Sequence, residues 1–233
     1  MTTTLEFGVL LDAALSLRPT RLSLLRQLDR AGSEIEQAIL LLAESGVPDV
    51  AALPVGLIDR LLLHLHRRML GEDLECVVAC PACGGLNALP LGPDDVPEYA
   101  PRSAWCGRGA GLREPTGADL LDLPEVPVGA GEVVLARCAI GPADGPRELA
   151  ALDRVEQSLC GMVRASCTEC AATIECPVDV QRLVVAAVAA VVAEADVEVH
   201  LLASRYGWDL DTIEALPDSR RSRLAGLVRG AGA

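Results

Sequence analysis

The chain has 233 residues, half of them hydrophobic, with a mean hydropathy of +0.33, so it is long enough and apolar enough to bury a sizeable core and is not a disordered polymer. Aromatic residues make up only 2%, which leaves Leu, Val, Ala and Ile to build that core, a composition suited to packing between helices. A net charge of −13 and a pI near 4.6 argue against a general nucleic-acid binder, because phosphate contacts would have to come from a local basic patch working against the overall field.

The first residues, MTTTLEFG, lack a basic segment followed by an apolar stretch, so no secretory signal is read and the chain is expected to be made in the cytoplasm. From Pro19 apolar residues recur at helical spacing, with Leu22, Leu25 and Leu28 in step, Thr20 as a cap and Gly32 closing the unit. Ser33 followed by Glu36 is a capping-box pattern that opens a second helix through Ala38, Leu41 and Leu42, stopped by Gly46 and Pro48. Pro54 starts a third, in which Leu57, Leu61, Leu65 and Met69 recur every four residues. Short connections between such helices predict an N-terminal helical unit over 1–72. His64 and His66 on the third helix stand two apart and so point to different faces, which reads as packing or solvated histidines rather than ligands; His200 on a later helix is read the same way.

Two stretches then answer each other. Cys80 to Pro90 reads CPACGGLNALP, and Cys167 to Pro177 reads CTECAATIECP. In each, two cysteines flank two residues, a proline follows the second cysteine at the same distance, and a short apolar run precedes the first. That is the outline of a strand, a tight knuckle and a returning strand, with two thiolates facing one point. Two knuckles complete the tetrahedron of four thiolates that structural Zn²⁺ prefers. Cys83 and Cys167 are 84 positions apart, far beyond the roughly fifteen to twenty residues of a compact ribbon, yet each doubling of a loop costs only about 0.6 kcal/mol. Three readings are open: one zinc on Cys80, Cys83, Cys167 and Cys170, two disulfides or reactive thiols, or unrelated buried cysteines. Ligand number and spacing favour the zinc. Cys76, Cys106, Cys138, Cys160 and Cys176 read as small buried hydrophobes, with Cys76 and Cys176 close enough to the knuckles to substitute as ligands.

Between the knuckles lies an insertion, about 92–158, rich in glycine and proline and expected to be irregular. Thr116 and Asp119 sit in capping positions before a short helix, 131–141 reads as a buried strand bounded by glycines, and 146–159 as another short helix. Beyond Pro177 a long helix is predicted from Val180 to Tyr206, free of proline and glycine; its most apolar run, Leu183 to Ala193, is too short for the roughly twenty residues that span a bilayer. A turn at Gly207 and a final helix from Asp209, restarted at Pro217, follow. The expected whole is mainly α with a small β zinc-ribbon-like module, divided as 1–72, 73–180 and 181–233.

No phosphate loop, H-E-x-x-H helix or G-x-S-x-G elbow is present in the sequence, and a four-thiolate site leaves zinc no open position for water, so the metal is read as structural. A thiol-disulfide oxidoreductase and a zinc-ribbon regulator that binds nucleic acid are the alternatives.

The segment HLLASRYGWDLDTIEALPDSRRSRLAGLV, His200 to Val228, resembles one recurrent in contractile phage tails and extracellular contractile injection systems: a Y-G-W element, an acidic helix start, an I-x-A-L-P step, an arginine cluster and a closing apolar helix. Ahead of it stand an ALPVGxxDxLLL step (Ala52 to Leu63), a C-P-A-C-G knuckle, a P-T-x-A-D-L step (Pro115 to Leu120), a second C-x-x-C and a long apolar helix. This order resembles the baseplate proteins related to the T-even phage hub-assembly factor. The arginine cluster departs from that pattern in lacking the tyrosine that usually ends it. The resemblance implies a non-enzymatic component that builds or braces a baseplate hub, made in the bacterial cytoplasm and either released or retained in the particle. Its partners would be other baseplate or hub proteins, with no small-molecule substrate. Tyr206, Trp208, Arg220, Arg221 and Arg223 are the expected docking residues, since aromatic and arginine side chains carry a disproportionate share of interface energy.

Overall fold

A computed structural model describes residue 28 and residues 31–107, 110–121, 123, 129–141 and 146–230. The expected first helix, with Thr20, Leu22 and Leu25, lies outside them; Leu28 is helical and buried. Ser33 caps α1 (Glu34–Glu44), its hydroxyl accepting from the Glu36 N–H at 3.4 Å. The Glu36 carboxylate reaches one residue beyond the expected box and accepts from the Gly32 N–H at 2.6 Å. Pro54 is the N-cap of α2 (Val55–Leu70), which ends at Gly71 in a left-handed conformation with φ 79°. Most of α2 is buried, because α1 covers one side and the long C-terminal helix another.

Two antiparallel hairpins follow from the two knuckles. β1 (Leu74–Ala79) pairs with β2 (Leu86–Leu91), and β6 (Gly161–Ser166) with β7 (Thr173–Val178). Their registers are identical, Leu74 opposite Leu91 in the first and Gly161 opposite Val178 in the second, so every position of one hairpin has a counterpart in the other.

The insertion is not irregular. It holds a three-stranded antiparallel sheet, β3 (Ser103–Gly107), β4 (Ala110–Arg113) and β5 (Ala139–Ile140), with α3 (Gly117–Leu120), α4 (Ala130–Cys138) and α5 (Pro146–Val155). Leu112, Val134, Leu135, Cys138, Ala151, Leu152 and Val155 form a core of its own. The strand expected over 131–141 is therefore a helix as far as Cys138, with only Ala139 and Ile140 in the sheet. Val134, Leu135 and Cys138 share one helical face and bury it, so tertiary packing overrides the strand preference of a short β-branched run. Asp119 accepts from the Thr116 N–H at 2.8 Å, as the capping pattern requires.

The long helix is α6 (Val180–Tyr206), capped by Asp179, whose carboxylate accepts from the Arg182 N–H, and closed by Gly207 with φ 68°. Asp209 caps α7 (Leu210–Glu214), and α8 (Asp218–Gly230) restarts after Pro217. Among the described residues, no helix is long and apolar enough to cross a membrane.

The main core runs through the boundaries expected at 72 and 180. Ile35, Leu41, Ile58, Leu61, Leu65, Cys76, Cys176, Val184, Val188 and Val192 belong to one apolar cluster, so the helices and hairpins share a single interior. A buried polar knot fastens the insertion to it. Asp59 on α2 is fully buried and accepts from Gln181 Nε2, the Ser158 hydroxyl and the Leu159 N–H, all at 2.8 Å. Burial pushes its pKa up, and those three donors oppose the shift. Beside it, Gly56 has no side chain because the Gln157 backbone occupies the space a Cβ would need, at 2.5 Å.

Candidate metal centre

Each knuckle is shaped by two backbone hydrogen bonds. In the first, Cys80 N–H donates to the Gly85 carbonyl at 2.9 Å and Gly84 N–H to the Cys80 carbonyl at 2.9 Å. In the second, Cys167 N–H donates to the Ala172 carbonyl at 2.8 Å and Ala171 N–H to the Cys167 carbonyl at 3.0 Å. These bonds fold each C-x-x-C so that both thiols leave the hairpin end on the same side.

The two ends meet. Cys80 Sγ lies 3.7 Å from Cys170 Sγ, and Cys83 Sγ lies 3.7 Å from Cys167 Sγ, with all four sulfurs within 4.8 Å of one another. Four thiolates at about 2.3 Å from a tetrahedral Zn²⁺ stand about 3.8 Å apart, so the cluster is close to the size of a zinc coordination sphere. The four sulfurs would fill that sphere and leave no position for water or substrate. Cys80 and Cys167 are buried against Ile174, with Val78 and Ala172 alongside, while Cys83 and Cys170 face solvent.

Polar groups around the sulfurs suit a metal-bound thiolate. Cys167 Sγ accepts from the Glu169 N–H at 3.4 Å and from Asn87 Nδ2 at 3.6 Å. Backbone N–H groups of Cys170 and Glu169, with the Asn87 amide, bring its pKa down to about 6 against the cost of desolvation. At Cys83 the Gly85 N–H acts in the same direction but is outweighed by the Cys170 sulfur, by desolvation and by the Cys167 and Cys80 sulfurs, and the thiol is pushed up to about 12. Crowded thiols without a cation resist ionising together, and a divalent cation removes that resistance.

Sequence reasoning passed over Asn87. It is 1% exposed, and its side-chain oxygen accepts from the Thr168 N–H at 2.9 Å and the Thr168 hydroxyl at 3.1 Å, while its amide donates to the Gly85 carbonyl at 2.9 Å. One side chain of the first hairpin thus satisfies the backbone of the second knuckle. A buried amide in a strand whose counterpart position holds Ile174 was the available signal.

The other cysteines are elsewhere. Cys76 and Cys176 are buried in the main core and are not among the converging four. Cys138 is in the insertion core, Cys160 approaches the Asp179 carboxylate, and the Cys106 side chain lies outside the described residues. His66 is buried with Nδ1 bonded to the Glu72 carbonyl at 3.1 Å, and His200 is exposed.

Tyr206 and Trp208 stack with ring centroids 5.0 Å apart and remain exposed, as do Arg220 and Arg223. Arg221 corrects the expected docking set: it is 3% exposed and ion-paired with Glu198 on α6 at 2.9 Å and with Asp218 at 2.7 Å, so its charge is spent inside the fold. Comparison of the chain with protein-family models, with curated proteins and with solved structures finds no match to any of them.

Proposed function

We propose that this protein is a non-enzymatic structural or assembly component of the baseplate of a contractile tail or injection system, braced by a structural zinc on Cys80, Cys83, Cys167 and Cys170. The convergence of the four sulfurs carries the metal half of this reading; the ordered motifs from Ala52 to Val228 carry the baseplate half. The zinc would act as a clamp at a mechanical junction. β1 begins three residues after the Gly71 that ends α2, and β7 is followed at once by the Asp179 cap of α6. Holding the hairpin ends together therefore holds the two helices that pack against one another in the main core. The exposed Tyr206 and Trp208 pair, with Arg220 and Arg223, is the surface offered to other hub proteins. The protein would be made and used in the bacterial cytoplasm during assembly.

Two features disfavour a thiol-disulfide oxidoreductase. The 3.7 Å sulfur contacts join different knuckles rather than the two cysteines of one motif, and each motif leads into a strand, not a helix N-terminus. The test is co-expression with the tube, sheath and hub proteins of a contractile tail, with affinity capture of this chain. Stable recovery of a defined baseplate protein, weakened at least about tenfold by Trp208→Ala, is expected. Failure to bind any of them, or disulfide reductase activity from a metal-free chain, would overturn the proposal.

A further inference from the structure

β6 is the most exposed strand of the two hairpins. Gly161, Met162, Val163, Arg164 and Ser166 all face solvent, and Met162 and Val163 are apolar residues 61% and 38% exposed on opposite faces. β1, its counterpart, buries Leu74 and Cys76 on one side. The backbone direction of β6 follows from its register. Cys167 N–H bonds the Ala172 carbonyl, and alternation then turns Ala165, Val163 and Gly161 toward β7. Pro177, opposite Met162, has no N–H to give, which agrees with that alternation. Met162, Arg164 and Ser166 therefore present their N–H and C=O groups outward, as an open ladder. The outer edges of β7 and β2 are interrupted by Pro177 and Pro90, at matching positions; the edge of β6 has no such guard.

We propose that this edge pairs, antiparallel, with β6 of a second copy of the chain, about a twofold axis through Val163, to give a continuous sheet in the order β7, β6, β6, β7. The strand is complementary to itself in that register. Met162 of one copy stands opposite Arg164 of the other, twice, and the Val163 side chains face each other in the close, non-bonded pair of the new ladder. Arg164, already bonded to Glu175 across the hairpin at 2.9 Å, then lies between that carboxylate and a methionine that its aliphatic stem covers. A twofold through Arg164 would instead set the two guanidinium groups opposite each other and is disfavoured. The contact is at the small end of protein interfaces, so the dimer depends on concentration. The inference is independent of the baseplate reading.

Sedimentation and light scattering of the metal-loaded full chain from about 5 to about 500 µM, the range suited to a small interface, test it. A monomer–dimer equilibrium is expected, shifted at least about tenfold toward monomer by Met162→Pro, which removes an outward N–H and leaves the bonds to β7 intact. Metal content and far-UV spectrum of the variant report whether it folds. Amide exchange on the unaltered protein gives a second reading: Met162 and Arg164 amides should gain protection as concentration rises, while Val163 is protected throughout. A monomer at every concentration, a dimer unchanged in a folded Met162→Pro variant, or a dimer without protection of Met162 and Arg164 overturns the proposal.

Discussion

Gly84 and Ala171 occupy the same place in the two knuckles, and both have a left-handed backbone, with φ 76° and 59°. The first position has the residue for which that conformation is free of side-chain strain, and the second does not. Apart from its two chain neighbours, nothing lies within 4 Å of where a Cβ on Gly84 would stand, so the cost of a side chain there is one of backbone alone.

Opposite signs are therefore expected for two exchanges. Ala171→Gly should stabilise the protein by about 0.5 kcal/mol, the relief of strain being partly offset by a more flexible unfolded chain. Gly84→Ala should destabilise it by about 1 kcal/mol. Denaturant unfolding of the metal-loaded variants checks both; equal signs would contradict the shared geometry.

Metal content should be about one Zn²⁺ per chain, since four thiolates make one complete tetrahedral site. Cys83→Ser and Cys170→Ser should each abolish tight binding and lower the unfolding midpoint, because binding free energy at such a site is also folding free energy. Cys76→Ser and Cys176→Ser should keep the metal, as both side chains lie in the main core. Elemental analysis after dialysis, and melting with and without a chelator, measure these outcomes.

Arg221→Ala should cost about 3 kcal/mol, because it strands Glu198 without its buried partner. The loss should be concentrated where α8 meets α6, with faster amide exchange in α8. A paired exchange, Arg221→Met with Glu198→Leu, should recover most of the stability by leaving no lone charge. If Arg221→Ala left stability unchanged, the ion pair would not be holding α8 in place.

Asp119 gives the insertion a dependence on acid. Desolvation alone would raise its pKa, but the Arg113 guanidinium and the Thr116 N–H outweigh that and bring it down to about 2. A folded value below the ordinary 3.8 means that the contribution is complete above about pH 4 and is lost as pH falls toward 2. Its size is about 1 kcal/mol, less than the shift alone suggests, because Arg113 is partly open to water. The difference in stability between the unaltered chain and Asp119→Asn should shrink over that interval.

Local chemistry was legible in the residues themselves. The caps at Ser33 and Thr116, the helix starts at Pro54 and Asp209, the turn at Gly207 and the break at Pro217 all act within a few positions of chain, and no proline or glycine interrupts Val180 to Tyr206, so spacing alone located α1, α2, α6, α7 and α8. The knuckles were equally readable, since two cysteines flanking two residues and a proline at a fixed distance already dictate a hairpin end. From ligand number and chemistry the four cysteines could be nominated, although their meeting depends on an insertion folding between them.

Only packing in three dimensions settled the rest. Whether Val134, Leu135 and Cys138 lie on a strand or a helix turned on Leu112 and Leu152, which cover them from other elements. That Arg221 points inward depends on Glu198, and that Asn87 serves the opposite knuckle depends on Thr168, partners far away in sequence with no periodicity to announce them. Short-range spacing encodes what a segment does to its own backbone; which side chain a distant segment will satisfy is fixed by burial, where an unpaired polar group is too costly to leave without a partner.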